Sequence, residues 1–217
     1  LELIYEKDPA PAPSPPALPT AETTVLCGQT LMASTKLAND LVNCLGEGLV
    51  AGADNIAIDL NGHTIDGPDY ILGNVSGQEE GFPAGIRISG KSNVLVTSSK
   101  PGASVQQFGY GVLMTSGTIF STVEDISVSR HAMSGVELFD ADDGRNGNTV
   151  RNNMIHSNEL GVSLIAGTSA AHIVGNKIFG SLGEAVLIEF SDSNLLENNQ
   201  MVGIPLDPNL DSDGGVL

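Results

Sequence analysis

Apolar residues recur along this chain in a short segment that is written five times: Gly or Ala, a β-branched residue, any residue, and an aliphatic residue. Successive copies start 26, 24, 26 and 24 residues apart. A fixed period of this length is typical of stacked units that cannot bury their apolar faces alone, so it predicts a solenoid. The copies are Gly85-Ile86-Arg87-Ile88, Gly111-Val112-Leu113-Met114, Gly135-Val136-Glu137-Leu138, Gly161-Val162-Ser163-Leu164 and Ala185-Val186-Leu187-Ile188.

A second repeated block places an Asn three residues after one aliphatic residue and two before another, and its Asn residues are 23 apart. Short alternating segments broken by Gly, Asn and Ser indicate strands and turns, with no helical period. Asn tolerates left-handed backbone, and Asn residues stacked at one corner can hydrogen-bond to one another. About 25 residues per turn accommodate roughly three short strands and three corners, which predicts a β-solenoid. The blocks are Val150-Asn153-Ile155, Ile173-Asn176-Ile178 and Leu196-Asn199-Met201.

Composition favours the same fold, because the 217 residues include 26 Gly, 6 Phe, 3 Tyr and no Trp. A narrow coil holds Val, Ile, Leu and Ala inside and uses Gly at its corners. Residues 25–217 leave space for roughly seven coils, a rod ~30–35 Å long at a strand spacing of ~4.8 Å. One domain accounts for this length.

The chain resembles the right-handed parallel β-helix proteins of the pectate-lyase-like superfamily over residues 25–217. The stretches that carry the resemblance are 27–44, with a Cys at each end, and 55–65 (NIAIDLNGHTI). They look like the N-terminal cap and first coil of secreted bacterial β-helix repeat proteins, many of which have no assigned role. The resemblance implies an all-β, right-handed parallel β-helix with a cap over 25–48. Residues 66–84 stretch one repeat step to 37 residues, which predicts an inserted loop there. It says little of function, because the superfamily holds lyases, hydrolases, epimerases, adhesins and spacers.

The two cysteines, Cys27 and Cys44, lie 17 residues apart in the cap that the resemblance implies. A disulfide between them would staple the end of the coil and contribute ~3 kcal/mol in the loop-entropy model. Two buried thiols are the alternative, and metal binding by two Cys with no nearby His is disfavoured. A disulfide implies an oxidising compartment, so we expect an extracellular, cell-surface or periplasmic location reached with a leader that this chain does not include.

Residues 1–24 form a separate N-terminal arm that contains the proline-rich run DPAPAPSPPALP over 8–19. Such a run favours extended polyproline II and acts as a semi-rigid spacer, with a disordered linker as the alternative. An ordered arm needs a surface, either its own coil or a neighbouring subunit. Leu3, Ile4 and Tyr5 are apolar enough to add a strand to an exposed edge, so we predict that they bind a partner.

The net charge of −17, from 26 acidic and 9 basic residues, disfavours binding to nucleic acid. It equally disfavours unassisted binding of a polyanion such as pectate. No apolar run approaches the ~20 residues that span a bilayer. An acidic surface attracts divalent cations instead.

Two acidic segments suit Ca²⁺, and a solvated acidic turn is the alternative for each. Asp207, Asn209, Asp211 and Asp213 alternate oxygen ligands before a glycine, like the first half of a Ca²⁺ loop without the distal Glu. The second segment contains Asp140, Asp142 and Asp143. The chain then ends as a further Gly-Val-Leu begins with no visible cap, so we expect a longer protein or a last coil covered by another molecule.

Strand alternation points the third residue of each repeat, and the residue two further on, outward. These positions carry one Arg, two separated Glu and an apolar patch, which does not resemble a uronate-binding cleft. We predict that the patch is covered, either by a loop of this chain or by another protein subunit. Its members are Leu113, Phe139, Ile165 and Leu187.

Catalytic arrangements are weakly indicated. A glycoside hydrolase needs carboxylates on neighbouring coils, whereas Glu137 and the Asp residues of 140–143 cluster in one loop. The four His residues recur at no fixed position, and we expect them in turns or on the surface. The inserted loop offers one opening for an active site, because Asp66, Asp69, Glu79 and Glu80 are expected near Arg87.

The sequence therefore favours a non-catalytic extracellular or cell-surface module for assembly or adhesion. It would work through its arm, its apolar face and its open C-terminal coil. The alternative is a Ca²⁺-assisted polysaccharide lyase or epimerase, or a carbohydrate-binding module, with Asp140, Asp142 and Asp143 as the acidic centre.

Overall fold

The computed structural model describes residues 12–69, 81–141 and 147–202, which form twenty-one strands and no helix. The first seven strands are β1 (Glu22–Thr23), β2 (Gln29–Leu31), β3 (Thr35–Leu37), β4 (Leu49–Ala51), β5 (Ala57–Asp59), β6 (Thr64–Asp66) and β7 (Ala84–Ser89). Next come β8 (Leu95–Thr97), β9 (Ser104–Gln106), β10 (Tyr110–Thr115), β11 (Thr122–Glu124), β12 (Ser127–Ser129), β13 (Ser134–Phe139) and β14 (Thr149–Arg151). The last are β15 (Met154–His156), β16 (Leu160–Ile165), β17 (His172–Val174), β18 (Lys177–Phe179), β19 (Val186–Glu189), β20 (Leu195–Glu197) and β21 (Gln200–Val202).

The strands form three parallel sheets that run the length of the coil. Sheet A has the order β1-β3-β5-β8-β11-β14-β17-β20, sheet B has β2-β4-β7-β10-β13-β16-β19, and sheet C has β6-β9-β12-β15-β18-β21. Each turn of the chain adds one strand to each sheet, giving a parallel β-solenoid of about seven turns. The predicted fold class and number of coils are confirmed.

The core consists of aliphatic columns, because the repeated segments pair in register from coil to coil. In sheet B, Ile86 pairs with Val112, Val112 with Val136, and Val136 with Val162. All four side chains are fully buried. The side chains two residues further along each strand, such as Met114, form a second fully buried column. Continuous apolar stacking of this kind supplies most of the stabilisation of a solenoid.

The predicted Asn ladder stands at the corner between sheets A and C. Asn153 Nδ2 donates to Asn176 Oδ1 at 3.1 Å, and Asn176 Nδ2 donates to Asn199 Oδ1 at 3.0 Å. Each amide also donates to a backbone carbonyl of the previous coil. The left-handed residue is the preceding one, such as Asn152 with a φ of 56°. The ladder thus satisfies buried backbone groups at the turn, which an apolar side chain cannot do.

Cys27 and Cys44 form the predicted disulfide, with their Cα atoms 5.4 Å apart. It joins the segment before β2 to the loop before β4. Cys44 is buried against the first coils, and its backbone N donates to the carbonyl of Asp66. The staple therefore fixes the N-terminal end of the solenoid to the coil above it.

A candidate binding groove on sheet B

A groove with a volume of about 890 Å³ crosses the outward face of sheet B. Residues of the segment before β4, the segment before β7, and strands β7, β10, β13, β16 and β19 line it. These six levels of the coil give it a length of about 24 Å at the usual strand spacing. The groove is open to solvent along that length and suits an elongated ligand.

The floor of the groove is one column of outward side chains. Arg87 pairs with Leu113, Leu113 with Glu137, Glu137 with Ser163, and Ser163 with Leu187. The three central members are nearly buried, with exposures of 6% for Leu113, 6% for Glu137 and 0% for Ser163. The column mixes one cation, one acid, one hydroxyl and two leucines, in contrast to the aliphatic columns of the core.

Glu137 is a buried carboxyl group in the middle of the floor. Its Oε2 accepts a hydrogen bond from Ser134 Oγ at 2.9 Å, and Ser134 Oγ is also 2.9 Å from Ser163 Oγ. No salt bridge to Glu137 forms among the described residues. Burial raises the pKa of Glu137, and the Ser134 hydrogen bond opposes that rise. The site therefore favours an uncharged carboxylic acid over a carboxylate more than water does.

Arg87, the one cation among the described groove residues, is already neutralised. Its guanidinium contacts Glu47 Oε1 through Nε at 2.7 Å and through a terminal nitrogen at 2.6 Å. Glu47 Oε2 accepts from the backbone N of Ala84 at 2.8 Å, so both carboxylate oxygens are engaged. The ion pair holds the segment before β4 against the start of β7. The described lining of the groove therefore offers no free positive charge to an acidic ligand.

Aromatic rings flank the floor. Phe82, Tyr110 and Phe139 all line the groove, and they are three of the nine aromatic residues in the chain. Burial, with the nearby charge of Glu137, raises the pKa of Tyr110 to about 12, so its hydroxyl stays protonated. The groove thus combines apolar ring faces with hydroxyl and carboxyl groups.

The structure brings together the four residues predicted to form an apolar outward patch. Leu113, Phe139, Ile165 and Leu187 all line the groove, on its floor and along one side. They lie in a groove rather than on a flat face, and Leu113 is almost fully buried. Their binding to a partner stays a prediction, as do roles for Leu3, Ile4 and Tyr5, which lie outside the described residues.

Arg87 has a different partner from the acidic residues expected beside it. It pairs with Glu47, whereas Asp66 Oδ1 accepts from Gln106 Nε2 at 2.9 Å. Glu79 and Glu80 lie outside the described residues. The expectation was wrong for Asp66 because that residue ends a sheet C strand, on another side of the coil.

Most of the predicted Ca²⁺ ligands lie outside the described residues. Asp140 is exposed, has a φ of 47°, and is not among the residues that line the groove. In the three described ranges, no cluster of three or more His, Cys, Asp or Glu is placed to hold a metal ion. The other proposed ligands, Asp142, Asp143, Asp207, Asn209, Asp211 and Asp213, lie outside those ranges.

His131 lies in the turn between β12 and β13, as expected for the histidines, but its side chain is fully buried. Its Nδ1 accepts from the backbone N of Phe108 at 3.2 Å, and its Nε2 lies 3.1 Å from the carbonyl of Val105. The imidazole thus bonds a backbone N and a backbone carbonyl of the previous coil, as the side chains of the ladder Asn residues do. The backbone N of His131 donates to Asn158 Oδ1. Burial lowers its pKa to about 4. The ring is a neutral structural element.

Comparison with known families decides the class of the protein. The model of the right-handed β-helix region matches residues 80–201, which is more than half of the chain. The chain belongs to this β-helix family. No curated protein matches the sequence. The matched span contains the groove floor from Arg87 to Leu187, whereas Glu47, which pairs with Arg87, lies outside it.

The β-helix and its disulfide are consistent with an extracellular location, since disulfides persist in oxidising compartments. A search of the described ranges for a helix long and apolar enough to cross a membrane found none.

Proposed function

We propose that this β-helix is a non-catalytic extracellular module that binds a neutral carbohydrate chain in the sheet B groove and acts in adhesion. The observation that supports it most is the floor of the groove. There, Glu137 is buried with no cation beside it among the described residues, and Arg87 is neutralised by Glu47.

The charge of the groove favours a neutral ligand over an acidic one. An acidic polysaccharide would place its carboxylates beside Glu137 and Glu47 in a protein of net charge −17. A neutral sugar chain offers hydroxyl groups to Glu137 and Tyr110 and apolar ring faces to Phe82 and Phe139. Such ligand sites are mostly apolar with a few placed polar groups.

The engagement of one of the two groove carboxyl groups favours binding over hydrolysis. A glycosidase needs two free carboxyl groups, about 5–10 Å apart across the scissile bond. The Glu47 carboxylate contacts Arg87 and the backbone N of Ala84 in β7, two strand spacings or about 10 Å from the level of Glu137. Both oxygens of Glu47 are also occupied by Arg87 and Ala84.

Titration calorimetry with a panel of oligosaccharides tests this proposal. We expect binding of at least one neutral oligomer and no binding of oligogalacturonate. Phe139→Ala should weaken that binding by about tenfold, or ~1.4 kcal/mol. Phe190→Ala is the matched control, since Phe190 is an exposed Phe one residue past a sheet B strand but outside the described groove lining. Binding of acidic oligomers alone, or equal losses in both variants, would contradict the proposal.

A Ca²⁺-assisted lyase or epimerase centred on Asp140, Asp142 and Asp143 is the second candidate, supported by the acidic segment in which they lie. Its test is the ultraviolet absorbance of unsaturated uronate products, with and without Ca²⁺. Product formation that requires Ca²⁺ would replace the binding proposal, and a blank result over many polysaccharides would remove this candidate.

A further inference from the structure

The described part of the proline-rich arm lies along the outside of its own solenoid. Residues 12–19 have no strand or helix hydrogen bonds, and the carbonyl of Ser14 accepts a hydrogen bond from Asn93 Nδ2 at 2.9 Å. A cavity of about 140 Å³ separates Pro13, Pro15 and Pro16 from the coil. The surface opposite the arm, which we name the arm groove, is formed by Asn93, Leu95, Phe120, Thr122, Gly147 and Arg151.

Phe120 is the unusual residue of the arm groove. Two residues before each of the sheet A strands from β5 to β20, the backbone turns with a positive φ. The other residues at this corner suit that conformation or are small: Asn55, Asn93, Gly147, Ala170 and Ser193. Phe120 has a φ of 54°, where a bulky residue is disfavoured by about 1–3 kcal/mol.

The next coil has a glycine, Gly147, at the position that faces the Phe120 ring. A Cβ atom on Gly147 would lie 2.7 Å from Phe120 Cδ1, so only glycine leaves room for the ring there. The ring is half-buried and lies where the arm crosses the corner. Aromatic rings that face an extended proline-rich chain are the usual means of polyproline II recognition.

We propose that the arm groove recognises an extended proline-rich chain and that it takes the arm of a second copy of this protein, so that copies associate by arm exchange. The occupant is indicated by the structure, because the groove already holds residues 12–16 of the same sequence. Exchange keeps every arm contact and changes only the direction of the chain between Pro19 and β1. Exchange of an identical element is a low-cost route to association.

The contact within one chain is light enough to exchange. Eight of the ten residues 12–21 are exposed, Leu18 at 45% among them. Within the described residues, Asn93 supplies the one side-chain hydrogen bond to residues 12–19. The chain's own arm competes at an effective concentration in the millimolar range, so association should grow with protein concentration. The arm groove lies on sheet A, so this inference is independent of the ligand groove on sheet B.

Sedimentation of the full chain up to about 1 mM tests the association. We expect the mass of the unmodified protein to rise with concentration towards a dimer. Phe120→Asn removes the ring but keeps a residue type that the corner accepts at Asn93. A contact that the closed monomer and the exchanged dimer share cancels between them, so we expect this variant to lose the dimer only as the arm leaves the groove, which the amide chemical shift of Ser14 reports. Phe190→Asn is the control, because it also places Asn at a positive φ, 50°, but outside the arm groove. A protein that stays monomeric up to this concentration, or a dimer that persists after the arm has left the groove, would overturn the proposal.

A second experiment identifies the arm as the contact. Chains carrying Ser14→Cys are mixed with chains carrying Asn93→Cys, and disulfide-linked dimers are measured under oxidising conditions. We expect a cross-link between the two chains, and little with Ser193→Cys, an exposed position of the same corner outside the arm groove. Equal cross-linking at positions 93 and 193 would contradict arm exchange.

Discussion

Two polar columns of this β-helix contrast sharply: the Asn ladder inside the corner and the outward column on the floor of the groove. The ladder repeats one residue, at Asn153, Asn176 and Asn199, and satisfies its amides within the coil. The groove column places Arg, Leu, Glu, Ser and Leu at equivalent positions, and no salt bridge reaches Glu137 from the part of the chain that the structure describes. A residue that recurs in successive coils meets a structural need of each coil, here the hydrogen bonding of buried backbone groups at a corner. Positions that carry a different residue in each coil are not held by that need, so their side chains can serve to bind a ligand.

The largest effect expected is from Asn176→Ala, in the middle of the ladder. Asn176 accepts hydrogen bonds from the backbone N and Nδ2 of Asn153 and donates to the carbonyl of Val150. Its removal leaves at least two buried polar groups unpaired, at a cost of about 4 kcal/mol in the free energy of unfolding. Denaturant unfolding measures this change.

The control for that variant is Asn198→Gly in the next turn. Asn198 is exposed and has a φ of 56°, which glycine adopts readily. Its side chain bonds only the neighbouring Glu197 side chain among the residues that the structure describes. We expect a change below about 1 kcal/mol. Equal effects of the two substitutions would show that the ladder is not a structural element.

Acid should destabilise the protein through His131. Its pKa is about 4 in the folded state and near 6.5 when unfolded, so the unfolded chain binds a proton first. The stability that the neutral ring contributes is complete above pH 6.5 and is lost as the pH falls to 4. The loss is at most roughly 3 kcal/mol. Unfolding free energies of the protein and of His131→Asn from pH 7 to pH 4 test this, and parallel curves would contradict it.

Glu137→Gln should change stability least. The pKa of Glu137 is raised on folding, so its contribution is present at low pH and is lost as the pH rises through the folded value. We expect the variant to gain less than about 1 kcal/mol relative to the unmodified protein between pH 4 and pH 7. It should also bind acidic oligosaccharides better, because the buried negative charge is gone. A large stability loss would instead make Glu137 a structural residue like the Asn ladder.

The fold and the ladder could be predicted from the sequence because a fixed period places equivalent residues in contact on successive coils. The same period identified Leu113, Phe139, Ile165 and Leu187 as outward residues that share one surface. Only pairing in register is needed for either inference.

The chemistry of the groove could not be predicted in the same way. Arg87 and Glu47 are 40 residues apart, and their contact depends on the register in which β7 pairs with β4. The near-complete burial of Glu137 depends on the sizes of its neighbours across several coils. Its signal in the sequence was modest: it is the one acidic residue among the third positions of the five repeats.

The most direct test of the account is a map of ligand contacts by backbone amide chemical shifts in the labelled protein. A neutral oligosaccharide that binds should shift the amides of Leu113, Glu137 and Ser163 and leave those of Asn153 and Asn176 unchanged. Shifts confined to the acidic turn at Asp140, or to the ladder corner, would contradict a binding site on sheet B.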